Sequence, residues 1–117
     1  MKQYVINKSD LLHNIDIIKD RASSSTVIAV LKGNGYGIGL IPFARLLSEK
    51  GIDFFAVSEV GEGVALRENG FEGNILLISA LADEDEIKTC IDKDIIMSVG
   101  SSASYANISS EIGRAHV

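Results

Sequence analysis

The sequence is poor in the features that mark secreted, membrane or nucleic-acid-binding proteins. It has one cysteine, Cys90, and therefore cannot form an internal disulfide. No apolar run approaches the ~20 residues that a membrane span needs, and the first residues have no apolar stretch of signal-peptide length. The net charge of -5 includes no cluster of lysine or arginine that could follow a phosphate backbone. These absences predict a cytoplasmic protein that binds neither membranes nor nucleic acids.

The apolar residues that are present predict alternating strands and helices. With 46% hydrophobic and 23% charged residues, the 117-residue chain can bury one core. We expect Ser9 to cap a first helix, and the unbroken apolar run at residues 26–31 to form a strand buried on both faces. Further strands are predicted at 54–58, 74–79 and 95–99, and further helices at 40–50, 60–69 and 83–91. This alternation predicts an α/β fold with a parallel sheet, and it leaves the doubly wound sheet and the eightfold barrel both open.

Lys32 stands where the first predicted strand ends, directly before a loop with glycines at 33, 35, 37 and 39. Ligands bind at this end of the strands in both parallel architectures. Apolar neighbours such as Val30 and Leu31 would favour the uncharged amine, which attack on an aldehyde requires. The loop could cradle a phosphate, although a solvent-facing lysine before an ordinary turn has the same composition. Because its glycines alternate, the loop is neither a dinucleotide fingerprint nor a Walker loop.

Three segments match a known family in their order along the chain. The first is Ala29-Val30-Leu31-Lys32-Gly33-Asn34-Gly35-Tyr36-Gly37-Ile38-Gly39. The second joins Phe55-Ala56-Val57-Ser58 to a helix with Glu62, Leu66-Arg67 and Gly70, and the third is Ile75-Leu76-Leu77-Ile78. Together they resemble the alanine racemases, whose cofactor-lysine signature runs Ala-Val-hydrophobic-Lys, small-polar-small, Tyr-Gly-His-Gly. The first segment is the specific match, whereas the other two support the register.

The resemblance implies the N-terminal half of a (β/α)8 TIM barrel, with about four βα units, left open because the chain is truncated. It also implies a homodimeric parent that binds pyridoxal 5'-phosphate and racemises a small amino acid, most simply L- and D-alanine for cell-wall D-alanine supply. By matching positions, Lys32 would hold the cofactor and act as catalytic acid or base, and Tyr36 would hydrogen-bond its phosphate. Val30 and Ile78 would line the cofactor pocket, and no metal is expected.

Two departures from the family pattern restrict these expectations. Ile38 stands where the family usually has histidine, which leaves pocket polarity and substrate preference open. The family's second catalytic tyrosine and its remaining cofactor contacts have no counterpart in these residues, so we expect the 117-residue product to be inactive. The alternatives are a non-catalytic pyridoxal-phosphate-binding barrel, a racemase for serine or another amino acid, and a doubly wound domain without a cofactor.

The last seven residues continue no apolar pattern. Residues 112–117 back-translate to a nucleotide sequence that resembles a common short-read sequencing adapter read in frame. The sequence therefore predicts a partial racemase-like barrel domain over residues 1–110 and a non-native tail over 111–117.

Overall fold

The computed structural model describes residues 2–81 and 83–115, which form a four-stranded parallel sheet and six helices. The strands are β1 (Ala29–Val30), β2 (Phe54–Val57), β3 (Asn74–Ala80) and β4 (Ile96–Ser98), and they lie side by side in this order. The register places Val30 opposite Ala56, Ala56 opposite Leu76, and Leu76 opposite Ile96. These four residues therefore share one face of the sheet.

Apart from one short turn inside the predicted glycine-rich loop, the helices alternate with the strands, as the apolar periodicity predicts. They are α1 (Lys8–Ala22), α2 (Lys32–Tyr36), α3 (Leu40–Glu49), α4 (Val60–Glu68), α5 (Glu84–Asp92) and α6 (Ser102–Ala115). The prediction of Ser9 as the first cap is wrong, because Asn7 is the N-cap of α1 and its side chain accepts from the Asp10 amide. At the other end of the described chain, α6 has no counterpart among the predicted elements. No helix within these described ranges is long and apolar enough to cross a membrane.

The strand order distinguishes the two parallel architectures that the sequence leaves open. Right-handed crossovers between strands that are neighbours in both sequence and space put the connecting helices on one side of the sheet. A doubly wound sheet would instead reverse its strand order, which the four described strands do not do. Four side chains at the centre of the helix-covered face are 2% exposed or less, namely Phe55, Val57, Ile75 and Leu77. This one-sided arrangement is that of consecutive units of a barrel wall.

The opposite face of the sheet is open to solvent. Val30 is 39% exposed, Ile78 40% and Ile96 43%, although the small Ala56 on the same face is only 1% exposed. The prediction that the first strand is buried on both faces is therefore wrong for the described residues, and β1 is only two residues long. We call the side that carries Val30, Ile78 and Ile96 the open face.

Helix α6 extends into the segment that the sequence predicts to be a tail. Glu111 is 6% exposed, and its carboxylate accepts a hydrogen bond of 2.7 Å from Arg114. The division into a domain and a tail at residue 110 stays a prediction. The last two residues of the predicted tail, His116 and Val117, lie outside the described residues.

Candidate functional site

The glycine-rich segment after β1 forms a left-handed helical turn. The φ and ψ angles are 65° and 43° at Gly33, 55° and 45° at Asn34, and 65° and 40° at Gly35. Tyr36 has a φ of 56°. The Gly35 amide donates to the Leu31 carbonyl at 2.7 Å, and the Gly37 amide donates to the Gly33 carbonyl at 3.1 Å. Left-handed backbone costs roughly 1 to 2 kcal/mol for each residue with a Cβ, and glycine avoids most of that cost. The alternating glycines therefore permit a turn in which Asn34 and Tyr36 are the strained positions.

Asn34 is the residue at which this turn is fastened to the rest of the fold. Its side-chain oxygen accepts from the Leu40 amide at 2.9 Å, and its carbonyl accepts from the Gly39 amide at 3.0 Å. Its own amide donates to Oε2 of Glu62 at 3.0 Å. Asn34 thus links the turn to the start of α3 and, through Glu62, to α4.

Glu62 forms a capping box with Glu59 at the start of α4. Its Oε1 accepts from the Ser58 and Glu59 amides at 3.3 Å and 3.2 Å, while Oε2 reaches across to Asn34. In the sequence, Glu62 indicates only the register of the family match. The three-residue spacing from Glu59 to Glu62 fits a capping box, but nothing in the sequence indicates that the same carboxylate also reaches the turn.

Lys32 begins the left-handed turn at the carboxyl end of β1, and its side chain is exposed. Among the described residues it makes no ion pair and no side-chain hydrogen bond, whereas the amines of four other lysines are engaged: Lys8, Lys19, Lys50 and Lys88. The expectation that Val30 and Leu31 bury the Lys32 side chain is wrong for the described chain, because that side chain is exposed. The structure thus gives Lys32 an uncommitted amine at the end of the sheet where ligands bind.

The other predicted site residues divide into two groups. Tyr36 ends the turn that Lys32 begins, and its side chain is 60% exposed. Val30 and Ile78 lie on the open face, on β1 and β3, with β2 between them. The structure thus places Lys32 and Tyr36 in one turn, directly after the strand that carries Val30, while Ile78 lies two strands away. The half-buried Ile38 follows the turn, and its amide donates to the Gly35 carbonyl.

This donor set fits a phosphorylated aromatic aldehyde such as pyridoxal phosphate. A free primary amine can attack an aldehyde, and an accessible phenol can donate to a phosphate oxygen. The apolar side chains of Val30 and Ile78 on the open face can contact the faces of a ring. Lys32, Tyr36, Val30 and Ile78 are therefore chemically suited to the cofactor that the resemblance implies.

Known proteins match this chain in sequence and in fold. The family model of the alanine racemase N-terminal domain matches residues 6–116. The alanine racemase of Haemophilus ducreyi is 37% identical over 82 residues, which are 70% of this chain and 22% of that protein. The solved alanine racemase from Acinetobacter baumannii superposes with a TM-score of 0.83 at 26% identity, covering 92% of this chain and 32% of that one.

A further solved structure with the same fold is named for a different amino acid. The histidine racemase from Leuconostoc mesenteroides superposes with a TM-score of 0.82 at 24% identity, covering 91% of this chain and 28% of that one. The prediction of an α/β fold that corresponds to part of a racemase barrel is confirmed by these superpositions. The chain spans about a fifth of the length of the curated relative with the 37% match.

Proposed function

The chain belongs to the family of the alanine racemase N-terminal domain, and from this we propose that the whole protein is a pyridoxal-phosphate-dependent amino-acid racemase. Alanine is the proposed substrate, and D-alanine for the cell wall is the proposed use of the product. The proposal extends to a cytoplasmic, homodimeric parent. The observation that carries it is the uncommitted amine of Lys32 at the head of a turn that also presents Tyr36.

Four residues of the turn and of the open face have a proposed task. Lys32 holds the cofactor covalently and, when released, moves a proton at Nζ on one side of the substrate's α-carbon. Tyr36 donates to the cofactor phosphate, while Val30 and Ile78 form apolar walls. When bound, pyridoxal phosphate spreads the electron pair that proton removal leaves on the α-carbon.

Racemisation needs a second acid or base, because the proton leaves from one side of the α-carbon and returns to the other. No described residue with a titratable side chain other than Lys32 and Tyr36 lies in this turn, and we assign Tyr36 to the phosphate. The second group therefore lies outside this turn; we propose that it belongs to a longer parent and that residues 1–117 alone do not racemise. Among the described strands, β1 and β4 each pair on one side only, which supports this proposal, since unpaired strand edges favour association rather than a stable half-barrel.

A racemase for another amino acid is the second candidate. The histidine racemase of the same fold favours it, because that likeness means that the fold alone does not select alanine. Ile38, where the family usually has histidine, is the position in the turn segment at which this chain departs from the pattern. A non-catalytic pyridoxal-phosphate carrier would bind the cofactor through Lys32 and show no turnover.

The test is to trap the cofactor with borohydride in the protein at its full natural length and to map the modified lysine by mass spectrometry. We expect the adduct on Lys32, its complete loss in Lys32→Ala, and racemisation of alanine by the wild type in a chiral assay. Lys93→Ala is the matched control, since Lys93 also lacks a side-chain bond among the described residues but follows α5 at the amino end of β4.

The position of the adduct and the turnover assay separate the candidates. An adduct on Lys93, Lys50 or Lys88 would contradict the assignment of the cofactor lysine. An adduct on Lys32 without turnover of alanine, serine or histidine would favour the carrier. Racemisation by residues 1–117 alone would contradict the inference that the second group lies elsewhere.

A further inference from the structure

We infer that Glu62 is a positioning residue for the cofactor site, because its carboxylate holds the left-handed turn that carries Lys32 and Tyr36. This inference rests on the proposed function for its consequence, namely cofactor affinity. The hydrogen bond between Glu62 and the turn does not depend on the cofactor. It would act through Asn34 and would not require Glu62 to touch the cofactor.

The turn needs an external hold because its conformation is unfavourable for two of its residues. Asn34 and Tyr36 both have positive φ and both carry a Cβ. Asparagine tolerates the left-handed region better than most residues, whereas tyrosine does so poorly. Contacts that exist only in this conformation are therefore needed to keep the turn populated, and the bond from the Asn34 amide to Glu62 is one of them.

Glu62 can supply this hold because its other oxygen is already fixed. Oε1 accepts from the amides of Ser58 and Glu59, where β2 passes into α4. The bond from Oε2 to Asn34 therefore ties the turn after β1 to the junction after β2, through a single rigid carboxylate. Charge-assisted bonds of this kind are about twice as strong as neutral ones.

The position of Asn34 makes this tie relevant to both candidate site residues. Asn34 lies two residues after Lys32 and two residues before Tyr36, at the middle of the turn. Release of its amide would allow the turn to leave the left-handed region, and the amine and the phenol would then lose their fixed separation. A cofactor held at both points would bind more weakly as a result.

Glu62→Gln separates this role from helix capping. Glutamine has one acceptor oxygen, and it can still serve the two amides at Ser58 and Glu59, as capping-box glutamines do. Its NH2 group would then face the Asn34 amide, where two donors meet and no bond forms. The variant should keep α4 and lose the tie. Glu68→Gln is the control, because Glu68 ends the same helix, is exposed and makes no side-chain bond among the described residues.

The experiment measures amide hydrogen exchange in peptides covering residues 31–39 of the cofactor-free protein at its full natural length, and then the dissociation constant of added pyridoxal phosphate. For Glu62→Gln we expect exchange in this segment to be roughly tenfold faster and the dissociation constant to rise roughly tenfold, with exchange in β2 and β3 unchanged. Glu68→Gln should match the wild type in both.

Two results would overturn the inference. In one, Glu62→Gln exchanges like Glu68→Gln over residues 31–39. In the other, exchange rises equally throughout the sheet, which would reduce Glu62 to a helix cap. Should the wild type fail to attach pyridoxal phosphate at Lys32, the proposed function falls, while the exchange comparison in the cofactor-free protein still decides the positioning role.

Discussion

Helix α4 carries an acidic side chain at its start, which accepts hydrogen bonds, and a basic side chain at its end, which donates them. Glu62, in the first turn, gathers backbone amides at the carboxyl end of the sheet. Arg67, in the last turn, gathers backbone carbonyls at the amino end, donating at 2.8 Å to Phe71 and Gly73 after α4 and to Lys93 and Asp94 after α5. Both charges also match the helix dipole.

The two side chains connect different parts of the fold. Arg67 joins two turns that lead into β3 and β4, on the side of the sheet that in barrels serves stability. Glu62 joins the end of β2 to the turn with Lys32 and Tyr36, on the side where ligands bind. Substitutions at the amino end of the sheet should therefore reduce the free energy of unfolding. Substitutions at the carboxyl end of the sheet should reduce the affinity for the cofactor.

Substitution of Arg67 should have the largest effect on stability. Arg67→Met leaves four carbonyl oxygens without their donor, and partial access of water limits the loss of unfolding free energy to about 3 kcal/mol. Arg67→Lys should recover little of this, because an ammonium cannot reproduce the guanidinium fork. Urea unfolding of the full-length protein measures the loss.

Arg21→Met is the control for Arg67. Arg21 lies in the last turn of α1, is exposed and makes no side-chain bond among the described residues. Its variant should unfold within about 0.5 kcal/mol of the wild type. Equal free energies of unfolding for Arg67→Met and Arg21→Met would mean that the four bonds of Arg67 do not stabilise the amino end of the sheet.

Tyr36→Phe tests the carboxyl end and should act on affinity rather than stability. Loss of one bond to a phosphate is worth about 1.5 to 3 kcal/mol, which is roughly a tenfold to hundredfold rise in the dissociation constant of pyridoxal phosphate. Attachment to Lys32 should persist, since the amine is untouched. Titration of the cofactor into the protein measures the change.

Tyr105→Phe is a matched control, because Tyr105 is 63% exposed against 60% for Tyr36 but lies on α6. It should bind pyridoxal phosphate as the wild type does. A dissociation constant for Tyr36→Phe equal to that of Tyr105→Phe would mean that Tyr36 is only a surface residue of the turn.

The sequence predicted the regular elements well because their apolar spacing is local. Helices α3, α4 and α5 and strands β2, β3 and β4 lie within one or two residues of their predicted bounds. Burial of the first strand could not be predicted in the same way. Whether Val30 is covered depends on which elements pack across the open face, and that information lies outside its own segment.

The sequence predicts which residues form the candidate site, and this stays a prediction, whereas it does not predict the conformation of the turn that carries them. Lys32 and Tyr36 follow from the motif, yet alternating glycines fit an extended loop as well as a left-handed turn. The tie from Glu62 to Asn34 joins residues 28 positions apart, so no local pattern contains it. The four carbonyls that Arg67 binds are backbone atoms, which carry no sequence signature at all.

Two glycines with room for a methyl group give the test with the smallest expected effect. They test whether conformation, rather than space, requires glycine in the turn at the carboxyl end of the sheet. A Cβ at Gly33 or at Gly61 would meet no heavy atom within 4 Å, so an added methyl group clashes at neither position. Gly33, however, has a φ of +65° in the left-handed turn, whereas Gly61 lies within α4. Gly33→Ala should lower the free energy of unfolding by about 1 kcal/mol, because alanine is strained in that region. Gly61→Ala should raise it by about 0.5 kcal/mol, because alanine restricts the unfolded chain and favours helix. The opposite signs, measured by urea unfolding of the two variants side by side, are the expected result. A shift of both variants in the same direction would mean that conformation is not what requires glycine in the turn.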